Sequence, residues 1–276
     1  MLEFIIPNTV LCHAVEAMLF ASVACAILGV IITQIQISSI GFTMAHAAFA
    51  GAAVGMFFSV NSTLSAVIAG IIVAFLIGPM SDRARISPDT ALGLLFGISM
   101  AVAIFFIAYM QTLGMGFSAM GLLFGDVISL YSHEIWMLAG ISLVAVLFVI
   151  VMYKEITGII FNRRIAESIG IRVKPVYYAT LFIIAFTVAL SLPLIGGLLI
   201  YVWLVTPAAI ALQFCSRLSA MFVVAPVVAA IVSISGAVAG LEYSFPVAPL
   251  TAVFFSVVFL VSVALSPKRR ITFRKS

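Results

Sequence analysis

Long apolar runs, each about as long as a membrane-spanning helix, alternate with short polar segments along the chain. The longest such stretch lies between Glu16 and Asp82, where no residue carries a formal charge. Polar segments at 34–39 and 61–63 divide it into three parts. Because a helix needs about 20 apolar residues to cross the roughly 30 Å hydrocarbon core, this stretch predicts three membrane-spanning helices.

The remaining apolar runs predict six further spans. One follows Asp89 to about residue 111, and the others cover 135–153, 175–216 (two spans, divided near Pro193 and the Gly196-Gly197 pair), 218–241 and 243–267. A β-barrel is excluded because no strand-length alternation of polar and apolar residues occurs. We therefore expect an all-α, polytopic transmembrane helical bundle of about nine spans. Eight or ten spans remain open, since residues 113–133 and 189–197 are ambiguous.

Charged residues are scarce and unevenly distributed. The 13 Lys and Arg and the 9 Asp and Glu make up 8% of a chain with a mean hydropathy of +1.35. This scarcity excludes a soluble enzyme, a nucleic-acid-binding protein and a disordered chain. With nine spans and a cytoplasmic C-terminus, all 13 basic residues fall on the cytoplasmic side and the N-terminus lies outside. We expect one transmembrane domain over 1–267, with a cytoplasmic segment at 154–174, and a basic tail at 268–276.

His46 is the one side chain between Glu16 and Asp82 that titrates near neutral pH, and it lies within the predicted second span. Polar groups inside a membrane are costly and usually face a bundle interior or a transport pathway. Because imidazole is a good ligand for transition metals, His46 is a candidate transient ligand for a cation in transit. The alternative is a histidine that hydrogen-bonds to a neighbouring helix.

The connection 153–175 contains a short amphipathic helix over about 160–171. Phe161, Ile165 and Ile169 repeat every four residues and so share one helix face. Asn162 is a candidate N-cap, and Gly170 is expected to end the helix. Such a helix between two spans either inserts into a groove of a partner protein or lies on the membrane surface.

Several other residues have structural or binding interpretations. Asp89 is placed to cap the fourth span through backbone N–H groups, and Pro207 is expected to kink the seventh. His13 and Glu16, three residues apart on one helix face, and Glu242 are candidates for capturing a cation on the outer side, or are solvated helix ends.

Five segments occur in the order that is typical of one transporter family. Residues 41–51 resemble the motif G-D-x-x-S-H-A, and the other four are similar to D-T-A-[IL]-G (89–93), L-F-G-[ND] (123–126), F-D-x-x-x-A-x-x-x-G (161–170) and a G-x-L-L…P-A-A-x-A block (196–211). From about residue 28 to 265 the chain therefore resembles the permease subunits of ABC transporters that import zinc, manganese or iron with an extracytoplasmic binding protein.

The resemblance implies roles and partners. It places Phe42, Thr43 and His46 on the substrate path, makes Asp89, Gly93 and Pro207 structural, and assigns contact with an ATPase to Phe161, Asn162, Arg163, Arg164, Ile165, Ala166 and Gly170. It also implies a homodimer in a bacterial or archaeal cytoplasmic membrane, with two ABC ATPase subunits and a metal-binding protein. This chain has no phosphate-binding loop, so ATP is expected on the ATPase subunits, and no cofactor is expected here.

The sequence also departs from the family pattern. The aspartate of the first motif is Phe42 here, and its serine is Ala45. The segment 243–249 differs from the family's late aspartate-proline-glycine segment. A metal chelate or a non-metal solute therefore remains open as the substrate. Two other functions remain open as well: a secondary transporter driven by an ion gradient, and an intramembrane enzyme or assembly factor that uses His46 and Asp126.

Overall fold

Helices form every regular element in the described part of the chain. The computed structural model describes residues 10–37, 39–114 and 130–267. The helices in these ranges are α1 (Val10–Gln34), α2 (Ser39–Phe57), α3 (Ser62–Ala84), α4 (Pro88–Thr112), α5 (Ser132–Val151), α6 (Tyr153–Phe161), α7 (Arg163–Ser168), α8 (Val173–Ile195), α9 (Gly197–Phe214), α10 (Leu218–Glu242) and α11 (Val247–Leu265).

Nine of these helices are long and apolar enough to span a membrane, counting only the described residues. They are α1–α5 and α8–α11, whereas α6 and α7 are short helices between α5 and α8. The prediction of an all-α bundle with about nine spans is therefore confirmed. The orientation of the two termini and the domain limits stay predictions.

Helix α1 forms the centre of the bundle and contacts α5, α8, α9 and α10. Small side chains such as Ala17, Ala21 and Ala24 are almost fully buried along it. At Gly29 the backbone of α9 approaches so closely that a built Cβ would lie 2.8 Å from the carbonyl carbon of Leu204. Small residues permit such close packing of membrane helices, where apolar side chains alone give no hydrophobic driving force.

Helix α2 carries His46 and packs against α3, α4, α8 and α9. It begins after a turn in which Gln36 has a φ of +58°, so the polar segment at 34–39 separates the first two spans as predicted. The second polar segment separates α2 from α3, where the Leu64 N–H donates to Asn61 Oδ1 at 3.0 Å. Gly51 and Gly55 face Ser65 of α3 and allow close approach of the two helices.

A break at Gly196 divides α8 from α9. Gly196 has a φ of +94°, in the region that favours glycine, and its N–H donates to the Leu192 carbonyl at 2.9 Å. Pro193, which the sequence also offered as an interruption, lies inside α8. The glycine therefore ends the helix, and α9 begins beside the middle of α2.

Candidate functional site

A recess of about 260 Å³ opens beside His46. We call it the His46 recess, and its walls are four residues of α2, one of α8 and four of α9: Phe42, Ala45, His46, Phe49, Leu192, Gly197, Leu198, Tyr201 and Val202. The break at Gly196 starts α9 at this wall. Packing thus brings together two segments that are about 150 residues apart in the sequence.

The hydrogen bonding of His46 leaves one ring nitrogen available. His46 Nδ1 lies 2.9 Å from the backbone oxygen of Phe42. A carbonyl oxygen can only accept, so Nδ1 carries the proton and Nε2 carries the lone pair. Among the described residues, no side chain or backbone group is paired with Nε2. Half-buried on the recess wall, His46 therefore presents the tautomer in which Nε2 can bind a metal ion.

Aromatic rings surround the imidazole. The ring centroid of Phe42 lies 4.3 Å from that of His46, 4.5 Å from that of Phe96 and 5.3 Å from that of Tyr201. Phe96 of α4 also meets the imidazole edge-on at 4.8 Å. The sequence analysis did not single out Phe96 or Tyr201. No motif or spacing marks them, because they reach His46 only through the packing of α4 and α9 on α2.

Thr43 does not line the His46 recess, and its predicted place on the substrate path stays a prediction. Its side chain is buried, and its Oγ1 donates to the carbonyl oxygens of Ser39 at 3.0 Å and Leu92 at 3.1 Å. The second contact joins α2 to α4. Thr43 therefore holds two spans together, while Phe42 and His46, four residues apart, face the recess.

The predicted cap at Asp89 is wrong. Ser87 caps α4, because its Oγ accepts from the Thr90 N–H at 3.1 Å and Pro88 occupies the first turn. Asp89 instead accepts a 2.5 Å hydrogen bond from the Ser39 hydroxyl at the start of α2. Asp89 therefore ties α4 to α2.

The other two predicted structural residues differ in burial. Gly93 is exposed on α4 with open space where a Cβ would be. Pro207 is buried inside α9, where it removes one helical N–H.

The segment after α5 forms two helices where one was predicted. Phe161 ends α6, Asn162 lies between the helices, and Asn162 Oδ1 accepts from the Ile165 N–H at 3.2 Å. Asn162 is therefore the N-cap of α7, as predicted. The helix ends at Ser168, and Gly170 follows with a φ of +91°.

Three apolar side chains of this segment are exposed, one on α6, one on α7 and one in the turn after α7. Phe161 is 82% exposed, and Ile165 and Ile169 are exposed as well, whereas Ala166 is 1% exposed and packs inward. The predicted roles of Arg163 and Arg164 concern side chains outside the described part of the chain. We call Phe161, Ile165 and Ile169 the α6–α7 apolar surface.

Two of the three residues predicted to capture a cation lie together. His13 and Glu16 line a second recess of about 280 Å³ with Phe20 of α1 and the first turns of α5. Glu242 ends α10 and does not line it. Within the ranges that the structure describes, no three His, Cys, Asp or Glu side chains are grouped so as to hold a metal ion. Residues 123–126, which include Asp126, lie outside the described residues.

Comparison with known proteins identifies the family. The model of the ABC 3 transport family matches residues 8–266. The chain belongs to this family. The family predicted from the five motifs is thus confirmed, and the chain is a multi-pass membrane permease and a transport subunit.

Named relatives and a solved structure agree with this assignment. MntC of Halalkalibacterium halodurans, a manganese transport system membrane protein, is 26% identical over 262 residues, which cover 95% of this chain and 89% of MntC. ScaB of Streptococcus parasanguinis, a manganese import system permease protein, is 24% identical over 94% of this chain and 92% of its own. The structure of PsaBC from Streptococcus pneumoniae in complex with Fab shares the fold, with a TM-score of 0.85 and 20% identity over 100% of this chain and 98% of that chain.

Proposed function

We propose that this ABC 3 permease carries a divalent transition metal, with Mn²⁺ as the cargo, into the cell through the His46 recess. The observation that carries the proposal is the free Nε2 of His46 on the wall of a recess inside an apolar span. The names of MntC and ScaB, both manganese transport proteins, support Mn²⁺ among the transition metals.

The ligands in the recess suit an ion that passes through the protein and not one that is bound permanently. Each chain offers one imidazole in the recess and no carboxylate, because Phe42 stands where the family motif has aspartate. A transport site must bind its ion well enough to admit it and weakly enough to release it. One imidazole from each of two chains in a homodimer meets that requirement.

We propose that the α6–α7 apolar surface is where an ABC ATPase docks. Its three apolar side chains project from α6, from α7 and from the turn after α7, in the part of the chain that is rich in basic residues. Burying an exposed phenylalanine and two isoleucines in a groove would contribute about 1.5–3 kcal/mol for each side chain.

A second partner, an extracytoplasmic metal-binding protein, would deliver Mn²⁺ near His13 and Glu16.

The test is metal uptake by the permease reconstituted in vesicles with its cognate ATPase and its extracytoplasmic metal-binding protein. We expect uptake of radioactive Mn²⁺ only when ATP is present on the side of the membrane where the ATPase subunits are bound. His46→Ala should lower the uptake rate by about tenfold or more, the effect of losing about 1.4 kcal/mol of interaction with the ion in transit. His133→Ala, at an exposed histidine on α5, is the matched control and should transport normally.

Two results would contradict the proposal. Uptake that follows an imposed ion gradient without ATP or an ATPase would indicate a secondary transporter. Unchanged Mn²⁺ uptake by His46→Ala would make His46 a packing residue.

A further inference from the structure

Only two of the nine residues that line the His46 recess carry a polar side-chain atom. These are His46 and Tyr201, and the others have hydrocarbon side chains or, at Gly197, none. The first turn of α9 also reaches this wall through Gly197 and Leu198, but its free backbone N–H groups are donors and cannot bind a cation. Tyr201 therefore supplies the one side-chain oxygen that an ion in the recess can meet.

The hydroxyl of Tyr201 is available for this role. Tyr201 is half-buried on α9, and its ring meets Phe42 edge-on with a centroid separation of 5.3 Å. Among the described residues, its hydroxyl has no hydrogen-bond partner. Because a phenol in apolar surroundings usually finds a partner, the Tyr201 hydroxyl, on the wall of the same recess as His46, is available to a polar molecule that enters the recess.

The size of the recess suits an ion that keeps most of its water. The volume of about 260 Å³ exceeds the roughly 180 Å³ that six water molecules occupy in the liquid, at about 30 Å³ each. An octahedral ion with six waters therefore fits. Ions of the Mg²⁺ and Mn²⁺ type prefer oxygen ligands, and water is the only abundant oxygen that the apolar walls leave to them.

We propose that Tyr201 is a specificity-determining residue of the His46 recess, which receives a partly hydrated divalent ion. His46 Nε2 replaces one water molecule of the ion, and the Tyr201 hydroxyl accepts a hydrogen bond from another. Tyr201 thereby compensates for the carboxylate that is missing at position 42. The inference rests on the proposed function of the same recess and adds to it the second contact and the hydration state of the ion.

The position of Phe42 makes the compensation testable. Its ring contacts both His46 and Tyr201, with centroid separations of 4.3 Å and 5.3 Å. A carboxylate introduced by Phe42→Asp would stand beside both groups and could take over the hydrogen bonds from the hydration shell. Tyr201→Phe removes the oxygen and keeps the ring, so it leaves the aromatic packing in place.

The experiment measures Mn²⁺ uptake in vesicles that contain the full permease and its ATPase, with the metal-binding protein supplied. We expect Tyr201→Phe to raise the Mn²⁺ concentration for half-maximal uptake by about tenfold, with a smaller effect on the maximal rate, since a hydrogen bond to a charged group is lost. Tyr201→Phe combined with Phe42→Asp should return that concentration to within about threefold of the parent value. Phe42→Asn provides a neutral oxygen if the carboxylate destabilises α2.

Tyr178→Phe is the matched control. It removes the hydroxyl of another membrane-span tyrosine, on α8 against Gly78 of α3, away from the His46 recess. This variant should transport like the parent.

The outcomes separate the two proposals. If Tyr201→Phe behaves like Tyr178→Phe while His46→Ala fails to transport, the role of Tyr201 is refuted and the metal permease stands. If Tyr201→Phe lowers only the maximal rate and neither replacement at position 42 restores it, Tyr201 has a structural role and the inference is wrong. If the parent does not move Mn²⁺ with its ATPase and its metal-binding protein present, the proposed function itself fails.

Discussion

Among the described glycines, Gly29 of α1 comes closest to the backbone of another span, and it should not tolerate even a methyl group. A Cβ built there would overlap the carbonyl oxygen of Leu204 and lie 2.8 Å from its carbonyl carbon and 3.3 Å from its Cα. All three atoms belong to the backbone of α9, so no side chain can rotate away. Leu204 is also held from the other side, where its side chain packs against Gly41 of α2. Gly29→Ala must therefore push α1 and α9 apart.

The magnitude follows from the size of the overlap. Carbon and oxygen atoms in helix contacts are normally about 3.3–3.6 Å apart, so the helices would have to separate by about 1 Å or more. Overpacking of this kind typically costs about 1–3 kcal/mol, and a backbone contact belongs at the upper end. A loss of about 3 kcal/mol lowers the Tm of a chain of this size by about 6–12 °C.

Thermal unfolding can be followed with a thiol-reactive dye. Cys25 lies on α1 and is 0% exposed, so it reacts only when the bundle opens. Gly140→Ala is the matched control, because nothing lies within 4 Å of a Cβ built on that glycine of α5. It should leave the Tm unchanged or raise it by about 1–3 °C through higher helix propensity. Equal Tm values for the two variants would refute the close approach of α1 and α9.

Two further predictions concern the cytoplasmic helices and the start of α4. Replacing both Phe161 and Ile165 by Asp should abolish co-purification of the ATPase, since charges cannot enter an apolar groove. Ser216→Asp, an added carboxylate on a different exposed loop, should retain it. Ser87→Ala should lower the stability by about 1 kcal/mol through loss of the cap on Thr90, a decrease of about 2–4 °C in Tm. An unchanged melting curve would contradict the assignment of the cap to Ser87.

The membrane spans could be predicted to within about four residues because lipid imposes one rule on every helix. Each span must be apolar for about 20 residues, and each break must carry polar or flexible residues. The polar segment at 34–39 and the glycine at 196 are such breaks, and α1, α2, α8 and α9 end or begin there. Pro193 was ambiguous because a proline lowers helix stability without always ending a helix in a membrane.

It was harder to predict which of two neighbouring residues caps α4. Both Ser and Asp are good N-caps, and both flank Pro88. Proline prefers the first helical position, which makes the preceding residue the cap. That signal was available in the sequence, and it favours Ser87 over Asp89. The hydrogen bond between Asp89 and Ser39 depends on the distance between α2 and α4 and has no local signal.

The sequence by itself determined the class of protein, the approximate number of spans and the family, and it singled out His46 as a candidate site residue. Each follows from a local property: apolar length, motif order, or a single titratable side chain in a long uncharged stretch. Only the tertiary structure decided what surrounds His46. The packing of α4 and α9 on α2 brings Phe96 and Tyr201 to the imidazole and turns Thr43 away from it. Those contacts depend on helix crossing and rotation, which backbone approach at residues such as Gly29 sets and which no local pattern along the chain encodes.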